Sequence, residues 1–196
     1  MADDVKTRLN TPGVPYGDVL ALIEYQSVQS PDSTAIVAPG RQALSYTGLR
    51  DLVREVGGQL RAIGIEQDAR VAVVLPNGPE MATAFLAVAS CAACAPLNPA
   101  YQAAEFRFYL QDIGASALVL LADDDSPARS VATELGIAVI DLKVSSGQPA
   151  GHFEVLMSES TCVVSGDSDI TQQTALILHT SGTVSYTHLR AHETER

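Results

Sequence analysis

Ala175-Leu176-Ile177-Leu178-His179-Thr180-Ser181-Gly182-Thr183 is an apolar run that gives way abruptly to hydroxyl residues around a glycine. Four consecutive apolar residues bounded by a turn signal have the length and composition of a buried strand. In the loop that follows, Thr180, Ser181 and Thr183 supply hydroxyls and backbone N–H groups. Gly182 lets the backbone come close to a ligand, and the combination suits a phosphate. These four residues are the candidate nucleotide-binding site. Ser/Thr/Gly-rich loops also arise from turn geometry alone, so the loop taken by itself leaves both readings open.

Working back from that strand, the chain divides into two patterns. Residues 17–29 carry Val19, Leu20, Leu22, Ile23 and Val28 at helical spacing, and Pro31-Asp32-Ser33 breaks the run. Residues 34–37 and 43–46 read as a hairpin around Pro39-Gly40-Arg41. Thr47 is placed to cap a helix with the stripe Leu49, Leu52, Val53, Val56, Leu60 and Ile63, which Gly64 ends. From Arg70 onward, strands and helices alternate. Residues 70–75 form an apolar strand, and Asn77-Gly78-Pro79-Glu80 opens a helix with Asn77 as cap, running to about residue 93. Residues 95–97 are extended, 102–113 helical, 117–121 a strand, 126–135 a helix and 138–142 a strand. Residues 145–169 are Ser- and Gly-rich and read as a surface loop with marginal structure.

Apolar strands separated by helices imply an α/β fold: an incomplete doubly wound, mainly parallel sheet with helices on both faces. Ligands of such sheets bind beyond the carboxyl ends of strands, and Thr180–Thr183 stands at one. In 196 residues, 46% of them hydrophobic, the chain can bury a sizeable core. A net charge of −11 argues against nucleic acid as a partner. No stretch is long and apolar enough for a membrane span. Met1-Ala2-Asp3-Asp4 lacks the pattern of a signal peptide, so the expected location is cytoplasmic or peroxisomal. Cys91 and Cys94 have redox and metal spacing, but the surrounding run is apolar with no second ligand pair, and they read as small buried hydrophobes.

Three segments together carry a resemblance. Leu44-Ser45-Tyr46-Thr47-Gly48-Leu49, then Phe85-Leu86-Ala87-Val88 through Ala95-Pro96-Leu97-Asn98-Pro99-Ala100-Tyr101, then Leu176 to Thr183 resemble core segments of the adenylate-forming enzymes, the AMP-dependent synthetase/ligase superfamily. Asn98–Tyr101 with Ala104-Glu105-Phe106 is most similar to acyl-CoA synthetases of the oxalate–CoA ligase-like branch. The resemblance covers residues 17–183, an N-terminal portion of an AMP-binding domain. It implies an ATP-dependent acid–CoA ligase using ATP, Mg²⁺ and coenzyme A on a small-molecule carboxylate. Thr180, Ser181, Gly182 and Thr183 match the start of the family's phosphate loop and are the residues carried over. No catalytic residue and no protein metal ligand is assigned. Alternatives are a carrier-loading adenylation domain, a Rossmann-type nucleotide-binding module, and a non-catalytic truncated paralogue. The absence of Gly-x-Gly-x-x-Gly after any strand counts against the Rossmann module.

After Thr183 the family pattern continues Thr-Gly-x-Pro-Lys-Gly, whereas this chain has Val184-Ser185-Tyr186-Thr187-His188-Leu189-Arg190-Ala191-His192-Glu193-Thr194. Arg190 is misplaced as a substitute for the lysine, and the two cations differ in geometry. His188 and His192 have the i, i+4 spacing of a helical metal site, with Glu193 adjacent, but no third ligand accompanies them. The tail closely resembles one reading frame of a transposase adapter used in short-read sequencing libraries. Residues 184–196 are therefore expected to be non-native read-through, and the chain as written is expected to be inactive. Of the remaining residues, His179 either touches nucleotide or fills space at a strand end. Tyr101 either lines a substrate channel or anchors the loop after Pro99. Asp123-Asp124-Asp125 reads as a solvated turn entering a helix rather than a Mg²⁺ site.

Overall fold

The computed structural model describes residues 18–156 and 174–179, with the backbone of 187–190. Helix α1 (Val19–Gln29) starts where the Asp18 carboxylate accepts the Ala21 N–H at 2.7 Å. Strands β1 (Thr34–Ile36) and β2 (Leu44–Ser45) pair antiparallel as the expected hairpin. Helix α2 (Tyr46–Ala62) buries the stripe Leu49, Leu52, Val53, Val56 and Leu60. Its cap is Ser45 rather than Thr47. The Ser45 Oγ accepts the Gly48 N–H at 3.2 Å, while the Thr47 hydroxyl donates to the Pro31 carbonyl at 3.0 Å. The hydroxyl with extended backbone ahead of the first turn is the one that caps.

The alternating part follows as β3 (Arg70–Val73), α3 (Pro79–Ala89), β4 (Ala93–Pro96), α4 (Ala103–Ile113), β5 (Ala117–Leu121), α5 (Pro127–Glu134) and β6 (Ala138–Lys143). Strand β7 (Glu154–Leu156) follows β6, and β8 (Thr174–Leu178) and β9 (Thr187–Arg190) complete the described elements. Among the described residues the large sheet has the order β7-β6-β5-β3-β4-β8-β9. The five strands from β6 to β8 are mutually parallel, and β7 and β9 are antiparallel to their neighbours at the two edges. This is the α/β sheet that the sequence predicts.

The period of two along the strands divides the core. Val71, Val73 and Val119 face one hydrophobic cluster with α1, α2 and α3 residues such as Ile23, Val53 and Ala87. Ala72, Val74, Leu118 and Leu120 face a second one with Phe106 and Leu110 of α4 and Val131 of α5. Both faces are therefore covered, as near-continuous apolar strands require.

Three local expectations change. Helix α3 is capped at Gly78, with Pro79 in its first turn and no side-chain cap, so Asn77 does not play that part. The helix stops at Ala89, because residues 93–96 are drawn into the sheet as β4 between β3 and β8. The first half of the 145–169 stretch is ordered rather than marginal: β7 pairs with β6, and Ala150, Phe153 and Val155 are buried. Its second half lies outside the described residues.

Candidate functional site

Strand β8 lies beside β4 with Cys94 opposite Leu176, so the carboxyl ends of the two strands stand side by side. On its other edge, Leu178 of β8 faces Thr187 of β9. Strand β8 thus ends at Leu178 and β9 begins at Thr187, and both points are at the carboxyl end of β8. Thr180, Ser181, Gly182 and Thr183 fall in this connection and lie outside the described residues. What the structure gives is the root from which they emerge.

His179 is at that root. Its Nε2 lies 3.1 Å from Oδ2 of Asp112 on α4, close enough for the imidazole N–H to donate to the carboxylate. The His179 ring meets Tyr109 edge to face, with centroids 4.8 Å apart and planes at 62°. Tyr109 stacks on Tyr101 at 4.9 Å and 18°, and Tyr101 sets its ring against Phe106 at 5.9 Å and 70°. These offset and edge geometries suit the quadrupoles of aromatic rings. Tyr101 follows β4, so the row of rings bridges the ends of β4 and β8. A hydrogen bond with the Tyr109 side chain holds the Tyr101 phenol above the ordinary tyrosine range, and burial and the nearby Glu105 act in the same direction. Of the two sequence readings of Tyr101, the contacts with Tyr109 and Phe106 are those of an anchor. Asp112 carries no local sequence signal, because its partner is 67 residues away.

The other candidates are placed as follows. Asp124 forms a turn back to the Leu121 carbonyl. In the next helix, Arg129 donates to Leu121 O at 3.0 Å and to Asp141 Oδ1 at 2.7 Å. The aspartate run is a turn entering α5, as expected. His188 sits on strand β9, so the helical spacing to His192 is not realised there; His192 and Glu193 are outside the described residues. Among the described residues, no group of three or more His, Cys, Asp or Glu is placed to hold a metal ion.

Cys91 and Cys94 are free and buried. Burial pushes the Cys91 thiol up to about 11 against the pull of Arg61, and burial together with Cys91 raises Cys94 further. Since the thiolate is the reactive form, both thiols are held in the unreactive state, in keeping with small buried hydrophobes. At pH 8 a thiol reagent such as DTNB, read out by peptide mass spectrometry, is expected to leave both unmodified in the native protein and to label both in urea. Native labelling of either at the rate of the unfolded chain overturns this.

The family model described as AMP-binding enzyme matches residues 23–185. The chain belongs to the AMP-binding enzyme family. As a member it is 34% identical over 170 residues to the oxalate–CoA ligase of Arabidopsis thaliana, across 84% of this chain and 32% of that protein. It is 32% identical over 162 residues to the probable non-canonical nonribosomal peptide synthetase CymA of Salinispora arenicola, across 76% of this chain and 2% of that one. Apo MatB from Rhodopseudomonas palustris shares its fold at 21% identity, with a TM-score of 0.66 over 89% of this chain and 34% of MatB. The AMP-binding chain thus spans about a third of the length of the oxalate–CoA ligase and of MatB.

Proposed function

We propose that residues 1–183 are the N-terminal portion of the AMP-binding domain of an ATP-dependent acid–CoA ligase, and that Thr180, Ser181, Gly182 and Thr183 begin its phosphate loop. The observation that carries this reading is the end of β8 at Leu178, the carboxyl end of a strand that runs parallel to β4. It roots the Thr-Ser-Gly-Thr stretch where open α/β sheets bind ligands. In the first half-reaction the substrate carboxylate attacks the α-phosphate of ATP and pyrophosphate leaves. In the second, the coenzyme A thiolate displaces AMP to give the thioester. N–H and hydroxyl donors fixed in advance at the loop stabilise the charge that develops on the departing pyrophosphate. Mg²⁺ is proposed to accompany the bound ATP; among the described residues no group of three or more His, Cys, Asp or Glu is placed to hold it.

The substrate proposed is a small carboxylic acid such as oxalate, on the strength of the similarity to the Arabidopsis enzyme. The similarity to CymA supports a second reading, adenylation of an acid for transfer to a carrier protein. Exchange of labelled pyrophosphate into ATP, measured on protein expressed from the complete gene, separates them. Oxalate-dependent exchange followed by coenzyme A thioester formation is the expected result. Exchange driven by amino acids, with no coenzyme A product, overturns the ligase reading in favour of carrier loading. The 196-residue chain itself lacks the lysine of the motif and is expected to form no thioester above background.

Residues 184–196 are proposed to be foreign to the gene. Strand β9 is compatible with that origin, because edge pairing uses backbone N–H and C=O groups common to every sequence. Genomic DNA read past the Thr183 codon decides it. A native locus encoding Val184-Ser185-Tyr186-Thr187-His188 ends the proposal.

A further inference from the structure

The side-chain brace between β4 and β8 has no part in the phosphate chemistry as set out, yet it is attached to the residue from which the loop departs. We propose that His179 is a positioning residue: held by Asp112 and Tyr109, it fixes the direction in which the backbone leaves β8 for Thr180–Thr183. This rests on the phosphate-loop reading of those four residues.

A side chain that merely filled space at the strand end would need neither contact. His179 has both, and they constrain different things. The Nε2···Oδ2 distance of 3.1 Å fixes where the ring's far edge lies. The 62° contact with Tyr109 fixes the plane of the ring. An imidazole turns about only two side-chain bonds, so the two contacts together hold its Cα, and Cα is one peptide from Thr180. The side chains of His179 and Asp112 are 13% and 26% exposed, which shelters the pair from the screening that makes open surface pairs weak.

The other end of the brace is firm. Tyr109 and Asp112 are three residues apart on α4 and so share a face of the helix. That helix is seated in the core through Phe106 and Leu110, both fully buried. Donors that stabilise developing charge act only when aimed before the reaction begins, within roughly 0.5 Å of the productive place. Anchoring the first residue of a loop to a buried helix is one way to meet that demand.

Amide hydrogen exchange on protein expressed from the complete gene, with and without Mg-ATP, tests the inference. Without nucleotide, Asp112→Ala and His179→Ala are each expected to speed exchange at residues 176–179 by about tenfold, the size of one hydrogen bond to a charged group. The double variant is expected to be no faster than either single one, because both remove the same interaction. His179→Gln, whose amide nitrogen can reach the same carboxylate, restores slow exchange, and exchange in α2 stays at the wild-type rate in every variant. With Mg-ATP, protection of residues 180–183 is expected in wild type and is lost in Asp112→Ala. Unchanged exchange at 176–179 in the single variants, or effects that multiply in the double one, overturns the positioning role while leaving the phosphate-loop reading intact. Absence of ATP protection in wild type, with the brace effects present, overturns the phosphate-loop reading and this inference with it.

Discussion

Replacing Phe106 with alanine is expected to lower the unfolding free energy by about 4 kcal/mol. The ring is fully buried in the cluster formed by α4, α5 and one face of the sheet. Its neighbours there include Leu110 on its own helix and Leu118 and Leu120 on β5. The strands are fixed by pairing on both sides, so the space left by a deleted ring cannot be closed by a shift of β5. The loss therefore contains both the transfer of the ring to water and a cavity. Phe106→Leu, which keeps most of the volume, is expected to cost about 1–1.5 kcal/mol. Urea unfolding of the three proteins measures this. A loss under about 1.5 kcal/mol for the alanine variant means that the helix and sheet collapse onto each other and that the packing is not rigid. The same variant removes the ring against which Tyr101 rests, so it also loosens the brace on His179.

How much of this could be read from the chain depended on the range of the forces involved. Strands β3 and β5 are almost wholly apolar, and burial on both faces of a parallel sheet leaves that mark directly in the sequence, while β6 and β8 show it in their shorter apolar stretches 138–140 and 175–178. The hairpin of β1 and β2 and the stripe on α2 were legible for the same local reason. Caps were less so: Ser45 and Thr47 are both hydroxyl residues, and only the position of Pro31 decides that Thr47 donates to a carbonyl while Ser45 caps. Strand β7 was hidden, since Glu154-Val155-Leu156 becomes a strand through pairing with β6 and has no periodicity of its own. Of the candidate site, the Thr-Ser-Gly-Thr stretch stood out by composition. The carboxylate of Asp112, 67 residues from His179, did not.

Gly151→Ala is expected to cost about 3 kcal/mol, and its neighbour in the same stretch shows why. Gly147 and Gly151 both have positive φ, +82° and +83°, where any other L-residue is strained by about 1–2 kcal/mol. A Cβ added at Gly147 meets nothing within 4 Å, so Gly147→Ala should lose only that amount. At Gly151 the same atom would lie 2.7 Å from Thr83 Cγ2 and 3.0 Å from the Pro79 carbonyl oxygen. The carbonyl belongs to the first turn of α3 and has little room to move. Thr83 is fully buried and donates its hydroxyl to Gly151 O at 2.6 Å, so pushing it aside also strains a buried hydrogen bond. Around this contact Arg41 pairs with Glu80 of α3 and donates to Pro149 O at 2.8 Å, while Ala150 N–H reaches Gln42 O at 2.8 Å. The hairpin, the start of α3 and the 148–151 segment are therefore lashed together at one place, and the glycine is the point of closest approach. Thermal or urea unfolding of Gly147→Ala, Gly151→Ala, Thr83→Ser and the double variant Gly151→Ala/Thr83→Ser separates backbone strain from collision. Serine lacks the offending methyl, so the double variant should recover about 1 kcal/mol relative to the sum of the two single losses. Equal losses at 147 and 151, or no recovery with serine, would mean that the positive φ alone requires glycine at 151 and that the approach of Thr83 is incidental.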